Sequence, residues 1–390
     1  MTAHPAPRTC IVSAVRPARD VRTFHKIARS LAAAGWDVTV VGRDPGPPAI
    51  VGGVRIAPLP AARGAARIAL QPLALRAALA SRADVVMIAD LELLPAGILL
   101  SRAGRAVVYD CREDYPAYMR LKPWIPPRCR GAASRLVDRL ERIAARRLDG
   151  ILTADEGTAQ RLRAYGGHVV VVHNFPRRAD FAFAPPETSR PVDVVYHGSL
   201  PAYNLLALAD VAGALGRRLR RARWRIVGAP DSLAARFAFT DALAAGGVAD
   251  RVELRPPVPF EGVAELLRGA RTGVVPLPDL PKFRTNVPMK LFEYLAAGVP
   301  AVASDLPPTR ALLDGTDAAV LVPPGDREAF ADALARLLRD PAAALAQARR
   351  GRDAIETRFN WEREEPRLRH LYASVFCGPG LRAVREEMLA

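Results

Sequence analysis

Short apolar runs recur along the whole chain, and the stretches between them carry apolar residues every three or four positions. In the first half the runs are CIVSAV, DVTVVG, DVVMIA, AVVYD, GILTA and HVVVVH, separated by helix-period segments such as 21–34 and 134–148. Continuous apolar strands alternating with helices predict a parallel sheet covered on both faces. Gly35, just before the second run, stands where a helix ends. A second series begins after Asn174: PVDVVYHG, WRIVG, RVELR, GVVPL, VPAVAS and AVLV. Between the two, 175–191 holds Pro176, Pro185, Pro186 and Pro191 and resists regular structure. The prediction is an α/β chain of two Rossmann-like, doubly wound parallel-sheet domains, 1–175 and 192–360, joined by a linker over 176–191. Such sheets bind ligands beyond the carboxyl ends of their strands. Two of them facing across a cleft would frame a small-molecule site. In the tail, Trp361, Leu368, Leu371, Tyr372 and Val375 keep roughly helical spacing, with Pro366 in the first turns. Residues 361–390 therefore form a helical tail that packs on the second domain or crosses back to brace the first.

Length agrees with this division, since 390 residues exceed what one core usually fills. The formal charge of +16 adds a preference for anionic partners, phosphorylated substrates or an acidic membrane face. Only four of the 56 basic residues are lysines (Lys26, Lys122, Lys282 and Lys290), an imbalance that resembles a coding bias toward arginine. No zinc finger, RRM signature or aromatic-interleaved basic stretch accompanies the charge, so nucleic acid is not expected as a partner. Cys10, Cys111, Cys129 and Cys377 are widely separated without a C-x-x-C pair, and no HExxH-like pair occurs, so no metal site and no disulfide framework are expected. The N-terminus lacks the order of a signal peptide, and the most apolar stretch, 85–100, carries Asp90, Glu92 and Pro95. A cytoplasmic protein is expected. In 128–147, the arginines form a solvated face or meet lipid phosphates at the inner membrane surface, while Leu136, Leu140, Ile143 and Leu148 pack inward.

The segment 282–306, KFRTNVPMKLFEYLAAGVPAVASDL, is the richest in chemistry. Pro288 suits the first position of a short helix, MKLFEYLAA, which Gly298 ends. Amides at a helix start carry partial positive charge and suit a diphosphate. Lys290 near that end can neutralise phosphate charge, and Glu293 one turn on can accept from the two hydroxyls of a ribose. His173 and His197, at strand ends, read as structural or capping residues.

This segment, with GVVPL before it and LVPPGDREAFADALARLLRDP after it, resembles the donor-site signature of the retaining glycosyltransferases of family 4. The resemblance takes in DVRTFHKIARSLAAAGWDVTVVG, ADLELLPAG, VVYDCREDYP, DGILTADEG, VVVVHNFP, VVYHGSL, WRIVG and the terminal NWEREEPRLRHLY. It implies the GT-B fold with a C-terminal crossover helix, a nucleotide-sugar as substrate, no cofactor and no metal. It places Glu293 on the donor ribose and Pro288–Lys290 beside the pyrophosphate. Gly198 and Ser199 approach the phosphates, and 255–260 flanks the base. The donor set it implies is Gly198, Ser199, Gly228, Val258, Asn286, Val287, Pro288, Met289, Lys290, Leu291 and Glu293. The acceptor side takes Asp20, Arg22, Asp90, Arg112 and Glu113, and the catalytic set is Lys290, Glu293, Arg284 and Arg112.

The chain departs from the family pattern in three places. Thr285 stands where a second glutamate often precedes the ribose glutamate by eight positions. LPAYNLLALAD, with Tyr203 and Asn204, replaces the Arg and Lys that often follow the Gly-Ser turn. A first-domain histidine is missing, with Ala89 and Arg112 at the corresponding places. The leaving diphosphate would then rest on Lys290, Arg284 and helix amides. The expected function is transfer of a sugar, with retention, to a glycan or lipid-linked acceptor in polysaccharide or glycolipid assembly. A nucleotide-sugar epimerase of the same architecture and a catalytically silent binding protein are the alternatives.

Overall fold

Runs of Val, Ile, Leu and Ala with no polar face have only one stable place, the centre of a sheet covered on both sides. In the computed structural model, which describes residues 6–60, 69–122 and 124–377, they fill two such sheets, one in each of two compact units. One unit comprises Met1–Asn174 and Arg363–Ala390, the other Phe175–Glu362. The terminal residues 378–390 of the expected tail lie outside the described residues.

The first unit is built on β1 (Arg8–Pro17), β2 (Asp37–Arg43), β3 (Ala49–Val51), β4 (Val54–Leu59), β5 (Val85–Ile88), β6 (Ala106–Cys111), β7 (Gly150–Thr153) and β8 (Val169–Val171). Their spatial order is β3-β4-β2-β1-β5-β6-β7-β8. All neighbours pair in parallel except β3 with β4. That antiparallel hairpin is absent from the sequence reading. It turns on Gly52 and Gly53, with φ of 55° and 78°, the left-handed pair that a tight hairpin needs.

The second unit carries β9 (Val192–His197), β10 (Trp224–Val227), β11 (Val252–Arg255), β12 (Ala270–Val275), β13 (Ala301–Ser304) and β14 (Val320–Val322), all parallel, in the order β11-β10-β9-β12-β13-β14. The order reverses direction at β9, so the carboxyl ends of β9 and β12 border the crevice where such sheets take ligands. Successive residues of β9 alternate between cores: Val194 and Tyr196 face the helices Ala202–Arg218 and Arg327–Arg339, while Val195 faces Met289–Ala297.

Three helical details differ from the sequence reading. Segment 21–34 begins with a wide π-helical turn, Val21–Ala28, before the α-helix Arg29–Ala33. Helix Pro127–Ala145 turns Ser134, Glu141, Ala144 and Ala145 inward with Leu140 partly buried beside them and Leu148 buried just beyond its end, but leaves Leu136 and Ile143 exposed. The reason is Glu141: its buried carboxylate lies 2.8 Å from Arg161 and accepts from Tyr109 and Cys111, which fixes the helix's rotation ahead of its leucines. Pro366 falls inside helix Trp361–Cys377 rather than in its opening turn, so the carbonyl of Glu362 receives no helical bond from it. From Arg363 onward that helix belongs to the first unit, where Tyr372 and Phe376 meet Trp36 edge-on and Leu371 lies under Gly150.

Candidate active site

In the second unit the chain leaves β9 through Gly198, whose φ of 123° is open to glycine and strained for other residues. The turn after β10 presses on this one, and a Cβ on Gly228 would collide with the Gly198 carbonyl oxygen. The turn is also clamped from beneath, because the buried Tyr196 hydroxyl and the Asn204 amide donate to the Ser199 carbonyl at 3.0 and 3.3 Å. Asn204, one of the residues standing in place of the family's cations, is thus a brace for the Gly-Ser turn. Ser199 keeps its side chain exposed.

Lys290 comes to this turn from helix Met289–Ala297. A Cβ on Gly198 would sit 3.5 Å from its ammonium, which also lies 4.7 Å from the centre of the Tyr196 ring. Among the described residues no carboxylate pairs with Lys290. The helix start itself is uncapped by any side chain. Pro288 precedes the first helical residue rather than occupying it, and Leu291 turns its amide back to the Pro288 carbonyl at 3.1 Å. Leu291, whose side chain is fully buried, therefore offers a ligand neither side chain nor amide, a correction to the expected donor set. The amides of Met289 and Lys290 remain at the positive end of the helix. Val287 and Met289 are partly buried against the core, and Asn286 accepts from the Thr285 hydroxyl at 3.1 Å.

Glu293 is half-buried, with Oε2 3.1 Å from His197 Nε2, a close contact lacking hydrogen-bond alignment. His197, dismissed on sequence as structural, therefore flanks the candidate ribose acceptor at the end of β9. Its ring packs edge-on against Tyr294, whose hydroxyl accepts from the His197 amide. No spacing rule links positions 197 and 293, and only the parallel sheet brings them together. The helix ends as expected at Gly298, φ 75°, where the backbone passes too close to Ala184 and Phe183 for any side chain. Arg284 is exposed and held by both oxygens of Asp279 at 2.7 and 2.8 Å, an ion pair that raises the guanidinium's pKa and lowers the carboxyl's. Its donors are turned to that carboxylate rather than toward a diphosphate, which differs from the catalytic role expected for it. Val258 is exposed at the turn into helix Phe260–Arg268, and Arg255 is paired with Glu253.

The first unit gathers its expected acceptor residues at the carboxyl edge of its own sheet, but ties most of them to one another. Arg22 and Arg112 bracket the fully buried Asp110, at 2.9 and 2.7 Å. Arg112 also holds Asp20 at 2.7 Å and the Thr23 hydroxyl, and Arg22 donates to the Val172 carbonyl at 2.8 Å. Burial alone would raise the two aspartates. The arginines outweigh it, so both carboxyls are held below the usual range and Arg112 is raised. Asp20 in addition caps the turn that begins at Val21. Asp90, at the switch between β1 and β5, accepts from the amides of Ala14 and Val15 at 2.7 and 3.0 Å and from Ser13. Burial nonetheless raises its pKa. Arg22, Asp90 and Arg112 therefore shape the loops of this edge, in place of the open acceptor contacts expected of them. Glu113 is half-buried beside them, its carbonyl accepting from Cys111. Among the described residues no group of three or more His, Cys, Asp or Glu side chains is placed to hold a metal ion.

Comparison with known proteins draws these features together. Residues 191–340 match the model of "Glycosyl transferases group 1", and residues 21–176 that of "Glycosyl transferase 4-like domain". The chain belongs to glycosyltransferase family 4. Among curated relatives of this family 4 chain, the phosphatidyl-myo-inositol mannosyltransferase of Mycobacterium leprae is 32% identical over 131 residues, 34% of each protein. The D-inositol 3-phosphate glycosyltransferase of Thermobispora bispora is 32% identical over 148 residues, 37% of this chain and 33% of that protein. The chain thus spans about a third of the length of these two relatives. Solved structures share the fold over nearly the whole chain. Sucrose-phosphate synthase from Thermosynechococcus elongatus superposes with a TM-score of 0.75 at 18% identity, covering 95% of this chain and 99% of that one. Anabaena HepE in complex with UDP-glucose gives 0.71 at 14% identity, covering 94% and 99%. The fold of this family 4 chain is GT-B.

Proposed function

We propose that the chain transfers a glycosyl residue from a nucleoside diphosphate-sugar to an acceptor hydroxyl, with retention of configuration and without a metal ion. The observation that carries this reading is Lys290: a half-buried ammonium with no carboxylate partner among the described residues, set over a glycine turn and beside an uncapped helix start. Such a site has charge to give to an anion and room for the anion's oxygens. As the bond from the anomeric carbon to the diphosphate oxygen breaks, negative charge grows on the leaving group, and Lys290 with the amides of Met289 and Lys290 stabilises it. Glu293 accepts from the ribose hydroxyls, its carboxylate steadied by His197. Lys290 and these amides supply the positive potential that a metal ion would otherwise bring.

A uridine nucleotide is favoured because HepE, which shares the fold, was solved with UDP-glucose. The relatives' names, a phosphatidyl-myo-inositol mannosyltransferase and a D-inositol 3-phosphate glycosyltransferase, support a phosphorylated or lipid-linked acceptor. The test is release of nucleoside diphosphate from a panel of nucleotide-sugars, with and without acceptor extracts and with chelator. Acceptor-dependent release that survives chelation is expected. An epimerised sugar without an acceptor requirement, or tight binding with no turnover, would replace the reading by one of the two alternatives. Glu293→Gln should weaken donor binding about 10- to 100-fold, the worth of one or two charge-assisted hydrogen bonds. Unchanged affinity in calorimetry would remove Glu293 from the ribose.

A further inference from the structure

Helix Pro127–Ala145 is pinned by Glu141, so its outer face is what remains after that carboxylate has been buried. On that face Arg128, Arg135, Arg139 and Arg142 fall on one side, with Leu136 and Ile143 along the flank, all within about 120° of arc at 100° per residue. Leu136 is 69% exposed and Ile143 38%, and Trp124, just before the helix, is 72% exposed. Arg128, Arg135 and Arg139 have no carboxylate partner among the described residues, and Arg142 meets Asp138 at 3.3 Å. On the neighbouring helix Leu94–Arg102, whose Ser101 hydroxyl donates to the Arg147 carbonyl just past this helix at 2.8 Å, Leu99 is 60% exposed. An arginine row bordered by an aliphatic strip and an exposed tryptophan has the composition of a helix lying in a bilayer interface: guanidinium groups at the phosphates, apolar side chains among the upper acyl carbons.

We propose that this face docks the chain on an anionic lipid surface. The excess of unpaired arginines decides for phosphate-rich lipid over an apolar protein partner, and the aliphatic flank decides for a bilayer over a purely polyanionic ligand. The proposal rests on the function above only in the choice of a lipid-borne acceptor.

The test is flotation of the full chain with vesicles of phosphatidylcholine alone and of phosphatidylcholine mixed with phosphatidylglycerol. Binding only to the mixed vesicles, declining with salt, is expected. Arg135→Gln with Arg139→Gln should lower partitioning on the order of tenfold or more, and Leu136→Ser with Ile143→Ser roughly tenfold. Arg220→Gln with Arg221→Gln removes the same charge from an exposed site in the second unit and should leave flotation intact. No flotation with the mixed vesicles, equal binding to neutral ones, or an equal loss in the second-unit control overturns the proposal. So does RNA binding lost in the same helix variants while vesicles are ignored. Donor turnover in detergent-free solution, measured on the same samples, keeps the two readings apart. A chain that floats without turning over any nucleotide-sugar sinks the transferase reading and leaves the docking surface standing.

Discussion

The two sheets share the same reversal of strand order, yet their carboxyl edges use charge in opposite ways. In the first unit Arg22, Asp110, Arg112 and Asp20 are bound to one another, and Asp90 is saturated by amides and a hydroxyl. In the second, Lys290 stands without a carboxylate among the described residues, and Glu293 lies half-buried with Oε2 3.1 Å from His197 Nε2. Equivalent positions in equivalent folds thus carry different duties. Buried charges that find partners at home set the shape of loops, whereas a half-buried ammonium without a carboxylate, as at Lys290, is held ready for an anion.

That contrast is easiest to break by removing one cation from each edge. Arg22→Leu should destabilise the first unit by about 3–5 kcal/mol, because Asp110 keeps its burial and loses half its compensation. A denaturant midpoint unchanged from that of the parent would show that the network is not structural. Lys290→Met should do the reverse, leaving stability within about 1 kcal/mol while turnover of donor falls about 10²- to 10³-fold. Loss of folding with Lys290, or full activity without it, would erase the distinction.

A further contrast lies in proton linkage. Asp155, buried at the start of helix Glu156–Ala164, has its carboxyl raised from 3.8 to about 6, chiefly by burial and further by Glu113, against the lowering effect of Thr158 and His173. The folded state then holds a proton more tightly than the unfolded chain. The contribution of this carboxyl to stability is fully present below about pH 4, is lost as pH rises to about 6, and is level above that, opposite in sign to that of the depressed Asp20 and Asp110. Asp155→Asn keeps the capping oxygen and removes the charge, so it should stabilise the protein at pH 8 by up to about 3 kcal/mol, with the gain shrinking toward pH 5. Equal gains at both values, read from denaturant titrations, would contradict the linkage. The smallest effect is expected at His197. His197→Ala frees the Glu293 carboxylate to sample other rotamers, and should raise the donor KM about fivefold with kcat nearly unchanged. An equal fall in kcat would move His197 from positioning to chemistry.

Much of this was legible in the chain itself, since period-2 and period-3.6 patterns follow from local geometry. The apolar runs named twelve of the strands, and Pro288 and Gly298 bounded helix Met289–Ala297 to within a residue. The Gly52-Gly53 hairpin was not read, because its strands are only three and six residues long and carry little pattern. Other features had no local signature. Of the apolar residues read as the inward face of helix Pro127–Ala145 and its end, Leu140 and Leu148 pack on the core while Leu136 and Ile143 do not, because a carboxylate buried against Arg161, Tyr109 and Cys111 turns the helix.

Sequence alone therefore determined the elements, the two sheets and the family, because backbone geometry and hydrophobic periodicity act over a few residues. Tertiary structure alone decided which charges are neutralised. Arg22 and Asp110 are 88 positions apart, and His197 and Glu293 are joined only by a sheet and the helix above it. The partner of a charge is set by which strand ends a fold brings within a few ångströms, and no local pattern encodes that distance.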